Sequence, residues 1–444
     1  MQRKIALLFM VIAALLALLG CSPAPVTDTT GATTTQALTE TTQTQPAQTE
    51  AIHPTQTEET QSVTDPLPTE PIDITTAWTP LCEEFIYLRD LEDKTQIVSQ
   101  IPVGALLKLD AWQGKYALVT YQGTQGYVTA NYVQPADSAY FSSHLQTVTL
   151  TETYSHSQML ADMQALQDKY PALVQISSIG KSAENRDIPV MRIGNPDSKH
   201  HVLMQGAMHG REHFTACLLM AISDISLSRN LLANSDVCYH MIPMTNPDGV
   251  FISQSQALNG MQEEIYQRDI ASGYTDKSSN RYAQMWKSNA LGVDLNRNFP
   301  SGWENSLERP LPSSERFRGD YPLCVPESIA LADYTRAYDF SATLSFHSHG
   351  SVLYYAYGSR QPANDLSYSL ALAIQEPTGY RPIGGYDGTS GAGYKDWAID
   401  ALGIPSVTVE IGSDQTPLVR RDIYNTFARF EGLLPTISAW LSRQ

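Results

Sequence analysis

The chain has 444 residues, more than one ordinary domain needs, and its 42% hydrophobic content is enough for a sizeable core. A formal net charge of −17 argues against nucleic acid as a partner, because phosphate binding needs basic surface. Much of the acidity is local: residues 22–77 hold eight Asp or Glu and no Lys or Arg.

Met1 to Cys21 reads as a targeting segment. Arg3 and Lys4 form a charged start, and Ile5 to Leu19 an apolar run shorter than the roughly 20 residues of a membrane span. Leu18-Leu19-Gly20-Cys21 resembles the bacterial lipoprotein cleavage site. That resemblance implies lipidation at Cys21, export, and a lipid anchor on the outer membrane face as the only membrane contact. Residues 22–77 are rich in Thr, Gln, Pro and Glu, too poor in apolar surface to offset ordering, and are expected to be disordered. As a coil this stretch spans on the order of 40 Å, and fully extended roughly 190 Å; it reads as a tether. Of the other cysteines, Cys82, Cys217, Cys238 and Cys324, none has zinc-ribbon spacing. They are expected to be mostly free thiols, with a Cys217–Cys238 bridge left open.

Residues 78–136 change character. Phe85-Ile86-Tyr87-Leu88, Ala105 to Leu109, Lys115 to Val119 and Gly126-Tyr127-Val128 alternate in the manner of short strands, punctuated at Gly104, Gln113-Gly114 and Gln122-Gly123. This predicts a small all-β barrel. Tyr87-Leu88-Arg89, Trp112-Gln113-Gly114-Lys115-Tyr116 and Gly126-Tyr127-Val128 resemble the bacterial SH3-like domain, which implies peptidoglycan as a partner. Taken singly, Trp112, Tyr116 and Tyr127 read as core aromatics.

Residues 150–444 form the largest block. Ser155-His156-Ser157-Gln158 is a capping-box pattern, Met159, Met163, Leu166 and Tyr170 follow at helical spacing, and Pro171 ends the helix. Apolar runs at Val202–Met204, Val237–Ile242, Leu344–Phe346 and Ser406–Val409 then alternate with helical stretches. Such alternation predicts an α/β sheet with helices on both faces. Functional groups in such sheets gather at the carboxyl ends of strands. His209, Asn246, His347 and Glu410 all lie at or just past such ends.

His209-Gly210-Arg211-Glu212 offers an imidazole and a carboxylate three residues apart on one strand-to-helix turn. Zinc takes both ligand types, and a catalytic zinc has three protein ligands. His347, ending Leu344-Ser345-Phe346-His347, supplies a third, and Glu410, ending Val407-Thr408-Val409-Glu410, a carboxylate base. The letters His209-Gly210-Arg211-Glu212-His213 also fit H-x-x-E-H, in which both histidines bind metal and the Glu is the base. That alternative needs a continuous helix, whereas an apolar strand-like run ends just before it and Gly210 is a poor helix residue. It also leaves His347 and Glu410 without roles. His200, His201, His240 and His349 read as packing residues that complete no second metal site.

His209-Gly210-Arg211-Glu212, Asn246-Pro247-Asp248-Gly249, Gly292 to Phe299, Ser345-Phe346-His347-Ser348 and Val409-Glu410 occur in the order found in zinc carboxypeptidases of the carboxypeptidase A type. The resemblance runs from about Tyr154 to the C-terminus. It implies a mixed twisted sheet flanked by helices, one Zn2+ per chain held by His209, Glu212 and His347, and Glu410 as the general base. It further implies that Arg211 polarises the carbonyl or binds substrate and that Asn296 and Arg297 grip a terminal carboxylate. Asn246 to Gly249 reads mainly as a turn shaping the floor of the site.

Three positions depart from the digestive enzymes. Lys287 follows Trp286 where those enzymes place an oxyanion-binding Arg; Tyr386 is the nearest candidate for the mobile Tyr over substrate; and Lys395 stands in the side-chain pocket. Trp286 to Asn298 resembles a bacterial branch of the family that cuts γ-D-glutamyl–diaminopimelate bonds in cell-wall peptides. The implied substrate is a peptide or muropeptide carrying a free carboxylate. A general extracellular carboxypeptidase and a non-catalytic wall-binding lipoprotein are the alternatives.

Overall fold

The computed structural model describes residues 78–80, 85–102, 105–135, 145–306, 309–384, 391–412, 415–418 and 420–444. The targeting segment, Cys21, the residue 22–77 tether, Cys82 and Tyr386 lie outside them. Among the described residues no helix is long and apolar enough to cross a membrane.

The first described region is all β. Strands β1 (Trp78–Pro80), β2 (Phe85–Arg89), β3 (Ile97–Pro102), β4 (Lys108–Gln113), β5 (Tyr116–Tyr121), β6 (Thr124–Thr129) and β7 (Val133–Pro135) form a five-stranded antiparallel sheet, ordered β3-β2-β6-β5-β4, and a β1–β7 pair. The β5–β6 turn is Gln122-Gly123, both at positive φ, as a two-residue hairpin requires. Inward positions of the alternating strands, among them Ile86, Leu88, Ala117, Val119 and Val128, bury a small core closed by Trp78. Trp112 packs edge-on against Trp78, ring centroids 5.2 Å apart.

The larger region opens with α1 (His156–Lys169). Ser155 caps it by accepting the Gln158 amide at 3.1 Å, while Gln158's side chain goes to Asp162 instead of completing the box. Strands β8 (Val174–Lys181), β9 (Asp187–Ile193) and β10 (His200–Gln205) follow, then α2 (Phe214–Ser228) and β11 (Val237–Ile242). Next come α3 (Pro247–Ser255), α4 (Met261–Ala271), α5 (Ser279–Gln284) and α6 (Pro326–Arg336). The chain continues through β12 (Phe340–Ser348), β13 (Val352–Tyr354), α7 (Ala363–Thr378), β14 (Arg381–Ile383) and α8 (Tyr394–Trp397), and ends with β15 (Ser406–Ile411), α9 (Arg420–Phe430) and α10 (Leu433–Leu441). The eight-stranded sheet runs β14-β13-β15-β12-β10-β11-β9-β8. Its centre, β15-β12-β10-β11, is parallel, and antiparallel pairs flank it. The expectation of a mixed α/β sheet flanked by helices is met. Helix α2 is buried from Phe214 to Leu227 and mostly apolar, as a helix between a sheet and further helices must be.

Parallel pairing brings the chemistry together. β12 lies between β10 and β15, and its register sets His347 opposite Glu410. All three strands end on the same side of the sheet, where a doubly wound fold leaves its crevice. Cys217, Cys238 and Cys324 are free thiols, so no Cys217–Cys238 bridge forms.

The small β region packs on the larger one through Arg429 of α9. Its guanidinium lies 3.6 Å from the centre of the Trp112 ring and donates to the Ala130 carbonyl at 3.2 Å and the Thr378 carbonyl at 2.9 Å. Its Nε donates to Asn425, and burial pushes its pKa down to about 10. Trp112 is thus covered by the larger region.

Candidate metal centre

Strand β10 ends in a turn, and one 3-10 turn, Gly210–Glu212, separates it from α2. The turn is drawn against α3. A Cβ on Gly210 would sit 2.2 Å from the Gly249 carbonyl oxygen, so only glycine fits there. The amides of Gly210 and Arg211 donate to the Lys287 and Trp286 carbonyls, and the Asn246 amide group donates to the carbonyls of Met208, Lys287 and Ser288. Asn246 also caps α3 by accepting the Gly249 amide. The floor expected at Asn246 to Gly249 therefore ties the His209 turn to the Lys287 segment.

Three side chains converge above this floor. His209 Nδ1 lies 2.9 Å from Glu212 Oε1, His347 Nδ1 lies 3.0 Å from Glu212 Oε2, and the two Nδ1 atoms are 3.2 Å apart. All three residues are buried. On the far side of the ring, His209 Nε2 lies 3.1 Å from Asp294 Oδ1. A neutral imidazole carries one proton. With Nε2–H directed at Asp294, Nδ1 turns its lone pair toward the Glu212 carboxylate. Lone pairs and negative oxygens facing one another away from water require a cation or proton between them. Two imidazole nitrogens, a carboxylate and a carboxylate behind one ring form the donor set of a hydrolytic zinc site. Burial alone would raise the Glu212 carboxyl, but His209 and His347 hold it well below the usual range.

His213 is not part of this set. Helix α2 starts only at Phe214, so the continuous helix that H-x-x-E-H demands is missing. Burial pushes the His213 imidazole down to about 4, and its Nδ1 is buried with no hydrogen-bond partner among the described residues.

Glu410 stands across from His347 and keeps part of its surface open to the cleft. The crowding around it is still dense enough that burial, aided by the Glu212 charge, pushes its carboxyl up to about 7 against the pull of His347, Lys287 and Arg211. Lys287 Nζ approaches Glu212 Oε1 to 3.9 Å, which puts a cation beside the cluster. Arg211 donates to the Met285 carbonyl at 3.3 Å and lies 3.7 Å from Glu315, while its Nε is buried without a partner among the described residues.

Residues 159–436 match the sequence model of a family described as zinc carboxypeptidase. The chain belongs to that family. Among relatives of this zinc carboxypeptidase, the Gamma-D-glutamyl-L-diamino acid endopeptidase 1 of Lysinibacillus sphaericus is 32% identical over 280 residues, covering 60% of this chain and 67% of the relative. YqgT of Bacillus subtilis (strain 168), described as uncharacterized, is 28% identical over 296 residues, 63% of this chain and 76% of the relative. The structure of thrombin activatable fibrinolysis inhibitor superposes with a TM-score of 0.54 at 19% identity, covering 70% of this chain and 80% of that one, which shows a shared fold. The protein is a metallopeptidase of a zinc-enzyme family.

In this carboxypeptidase Asp294 does two jobs. Besides backing His209, it caps the short turn Leu295–Arg297 by accepting the Asn296 amide, and its other oxygen accepts the Arg316 amide. Sequence reasoning passed over it; its place directly before Leu295-Asn296-Arg297 in a matching segment was the available signal. The turn presents Asn296 and Arg297, both half-buried. Arg297 Nη1 donates to the Asn296 carbonyl at 3.0 Å, and Asn296 Oδ1 accepts the Tyr394 amide at 3.0 Å. Asn296 Oδ1 and Asp396 Oδ2 flank Gly393, 3.0 and 3.1 Å from where its Cβ would be.

Lys395 is seated next to this pair. Its ammonium donates to the Ala356 carbonyl at 2.8 Å and pairs with Asp396, the two side chains 11% and 13% exposed. Thr408 shares the Glu410 face of β15, Tyr354 pairs opposite Thr408, and Ala356 lies two residues further along. The Lys395 charge is met from within the chain, by Asp396 and the Ala356 carbonyl.

Proposed function

We propose that this zinc carboxypeptidase hydrolyses γ-D-glutamyl–diaminopimelate bonds of cell-wall peptides on the outer face of the membrane. The observation that carries the reading is the Lys395–Asp396 pair beside Asn296. Diaminopimelate ends its side chain in an ammonium and a carboxylate together. An apolar pocket would have to desolvate both without compensation. A pocket holding one cation and one anion exchanges one internal ion pair for two pairs with the substrate, and no charge is left alone. The name of the Lysinibacillus sphaericus relative, which specifies a γ-D-glutamyl bond to a diamino acid, supports the same class.

The residues divide the work by position. His209, Glu212 and His347 are the groups that hold the metal, with Asp294 fixing the His209 ring. Bound zinc supplies a Lewis acid that polarises a carbonyl and acidifies water. Glu410 takes a proton from the attacking water and returns it to the leaving amine. Lys287 offers a cation to the oxygen where negative charge develops. Arg297 and Asn296 orient the substrate by its free carboxylate.

The N-terminal region fits the same setting. A lipid at Cys21 and the residue 22–77 tether hold the enzyme near the wall, and the β region reads as SH3-like. Phe85, Tyr87, Arg89, Thr129 and Tyr132 line an open groove of about 220 Å³ on it, suited to a wall peptide. Incubating the purified protein with γ-D-glutamyl–diaminopimelate peptides and with ordinary peptides of matched length tests the reading. Chelator-sensitive release of the diaminopimelate fragment at the higher kcat/KM is expected. Preference for ordinary C-termini would replace it with a general carboxypeptidase, and no hydrolysis of either would leave a binding protein.

A further inference from the structure

A second set of metal-ligating side chains lies at the other end of the sheet. β10 and β11 run parallel with His201 opposite Cys238 and Leu203 opposite His240. Cys238 and His240 are two residues apart on one strand, so they share a face. His201 Nδ1 and His240 Nε2 are 2.9 Å apart, and the candidate ligand atoms of all three residues lie within 4.8 Å of one another. Cys238 and His240 are fully buried, while His201 is half-exposed and opens the cluster to solvent.

From this geometry we propose that His201, Cys238 and His240 form a second metal site, for a thiophilic ion of the Zn2+ class, separate from the catalytic centre. Two imidazoles and a thiolate select such ions over the hard, oxygen-seeking cations. His240 is already oriented: its Nδ1 lies 2.7 Å from the Tyr334 hydroxyl, and its ring packs against Tyr338 and Phe340. A ligand histidine ordinarily has its other nitrogen held in this way. With Nδ1–H given to Tyr334, Nε2 presents a lone pair to the cluster. A proton on His201 Nδ1 now bridges the two rings. Binding moves that proton to His201 Nε2, releases the Cys238 proton to solvent, and puts the cation where the two protons were. Tetrahedral ligation separates two nitrogens by about 3.3 Å at ordinary zinc–nitrogen lengths, so the rings part by only a few tenths of an ångström.

A metal takes up neutral imidazoles and a thiolate, so the buried Cys238 must give up its proton as the cation enters. Arg192, opposite His240 across β9 and β11, opposes a bare dication but favours the thiolate that comes with it. The site lies about 15 Å along β10 from the catalytic turn, far enough for the two metals to load independently. His201 and His240 read from sequence as packing residues; what favours a site instead is the register that sets Cys238 opposite His201, 37 positions away in sequence.

Cobalt distinguishes the sites, because the catalytic ligands include no sulfur. The full chain, stripped of metal and titrated with Co2+, should show a near-ultraviolet thiolate-to-cobalt charge-transfer band, and zinc analysis should reach two ions per chain. Cys238→Ser should abolish the band and return zinc to one per chain with peptidase turnover unchanged. His201→Gln, at the exposed edge, should weaken the band if the serine variant does not fold. Cys217→Ser and Cys324→Ser should leave it intact. No band when cobalt saturates the catalytic centre, or a band that survives Cys238→Ser, would overturn the proposal.

Discussion

His209 stands between two carboxylates, Glu212 2.9 Å from its Nδ1 and Asp294 3.1 Å from its Nε2. The first shares the metal with it, and the second fixes which nitrogen carries the proton. Asp294→Asn should therefore weaken zinc binding by about 10–100-fold. Chelator competition reads this directly, and an unchanged zinc affinity would reduce Asp294 to a turn cap.

Glu410→Gln should keep zinc and lose turnover by at least about 10²-fold. Glu410 must be deprotonated to act, so kcat/KM should fall as pH drops through its pKa. The carboxyl is pushed up to about 7 without metal, and the charge of a bound dication draws it down. The acid limb of the wild-type profile should accordingly lie below 7 and vanish in the Gln variant. Near-normal kcat in Glu410→Gln would remove this residue from the mechanism.

Arg297→Ala should raise the barrier for substrates with a free α-carboxylate by about 2–4 kcal/mol and affect amidated analogues far less. Equal losses on both substrates would mark Arg297 as a structural part of the Leu295–Arg297 turn.

Lys395→Met and Asp396→Asn should each lower kcat/KM on diaminopimelate substrates by on the order of tenfold, about 1.4 kcal/mol. Neutral aliphatic side chains should be spared. Each variant leaves one charge unpaired, so reversing both positions together should recover more activity than either change alone. Retained wild-type selectivity in Lys395→Met would place the pair outside the pocket.

Arg429→Ala should destabilise the protein by roughly 2–5 kcal/mol, because the Ala130 and Thr378 carbonyls lose a buried donor. It should also expose the junction near Trp112 to limited proteolysis. An unchanged melting temperature would mean that water replaces the guanidinium at no cost.

His347 and Glu410 were legible because each ends an apolar run, and His209 and Glu212 because they share the turn that follows one; strand ends in a parallel sheet share one crevice. Their pairing needed only the order of strands, which alternation of apolar and helical stretches already implied. Asp294 was harder to see, since its place before Leu295-Asn296-Arg297 does not say that a loop 85 residues from His209 folds behind that ring. The local pairing of Lys395 was hidden for a similar reason: its acceptor, the Ala356 carbonyl, is a backbone atom with no sequence signature. Trp112 read singly as a core aromatic, and only the docking of Arg429 shows what covers it.

The contact of Gly210 with the Gly249 carbonyl links two distant stretches of chain in their freedom to change. A Cβ on Gly249 would likewise meet the Asn246 side chain and the Ser288 carbonyl at 2.5 Å each. Neither glycine can acquire a side chain unless α3 moves away, and moving α3 lifts the Asn246 bracket that holds the Lys287 segment. Variation introduced at random should thus leave both positions empty of survivors, even though neither touches substrate, while the exposed neighbour Phe251 on α3 tolerates replacement. Deep mutational scanning would show this as two depleted columns, at Gly210 and Gly249.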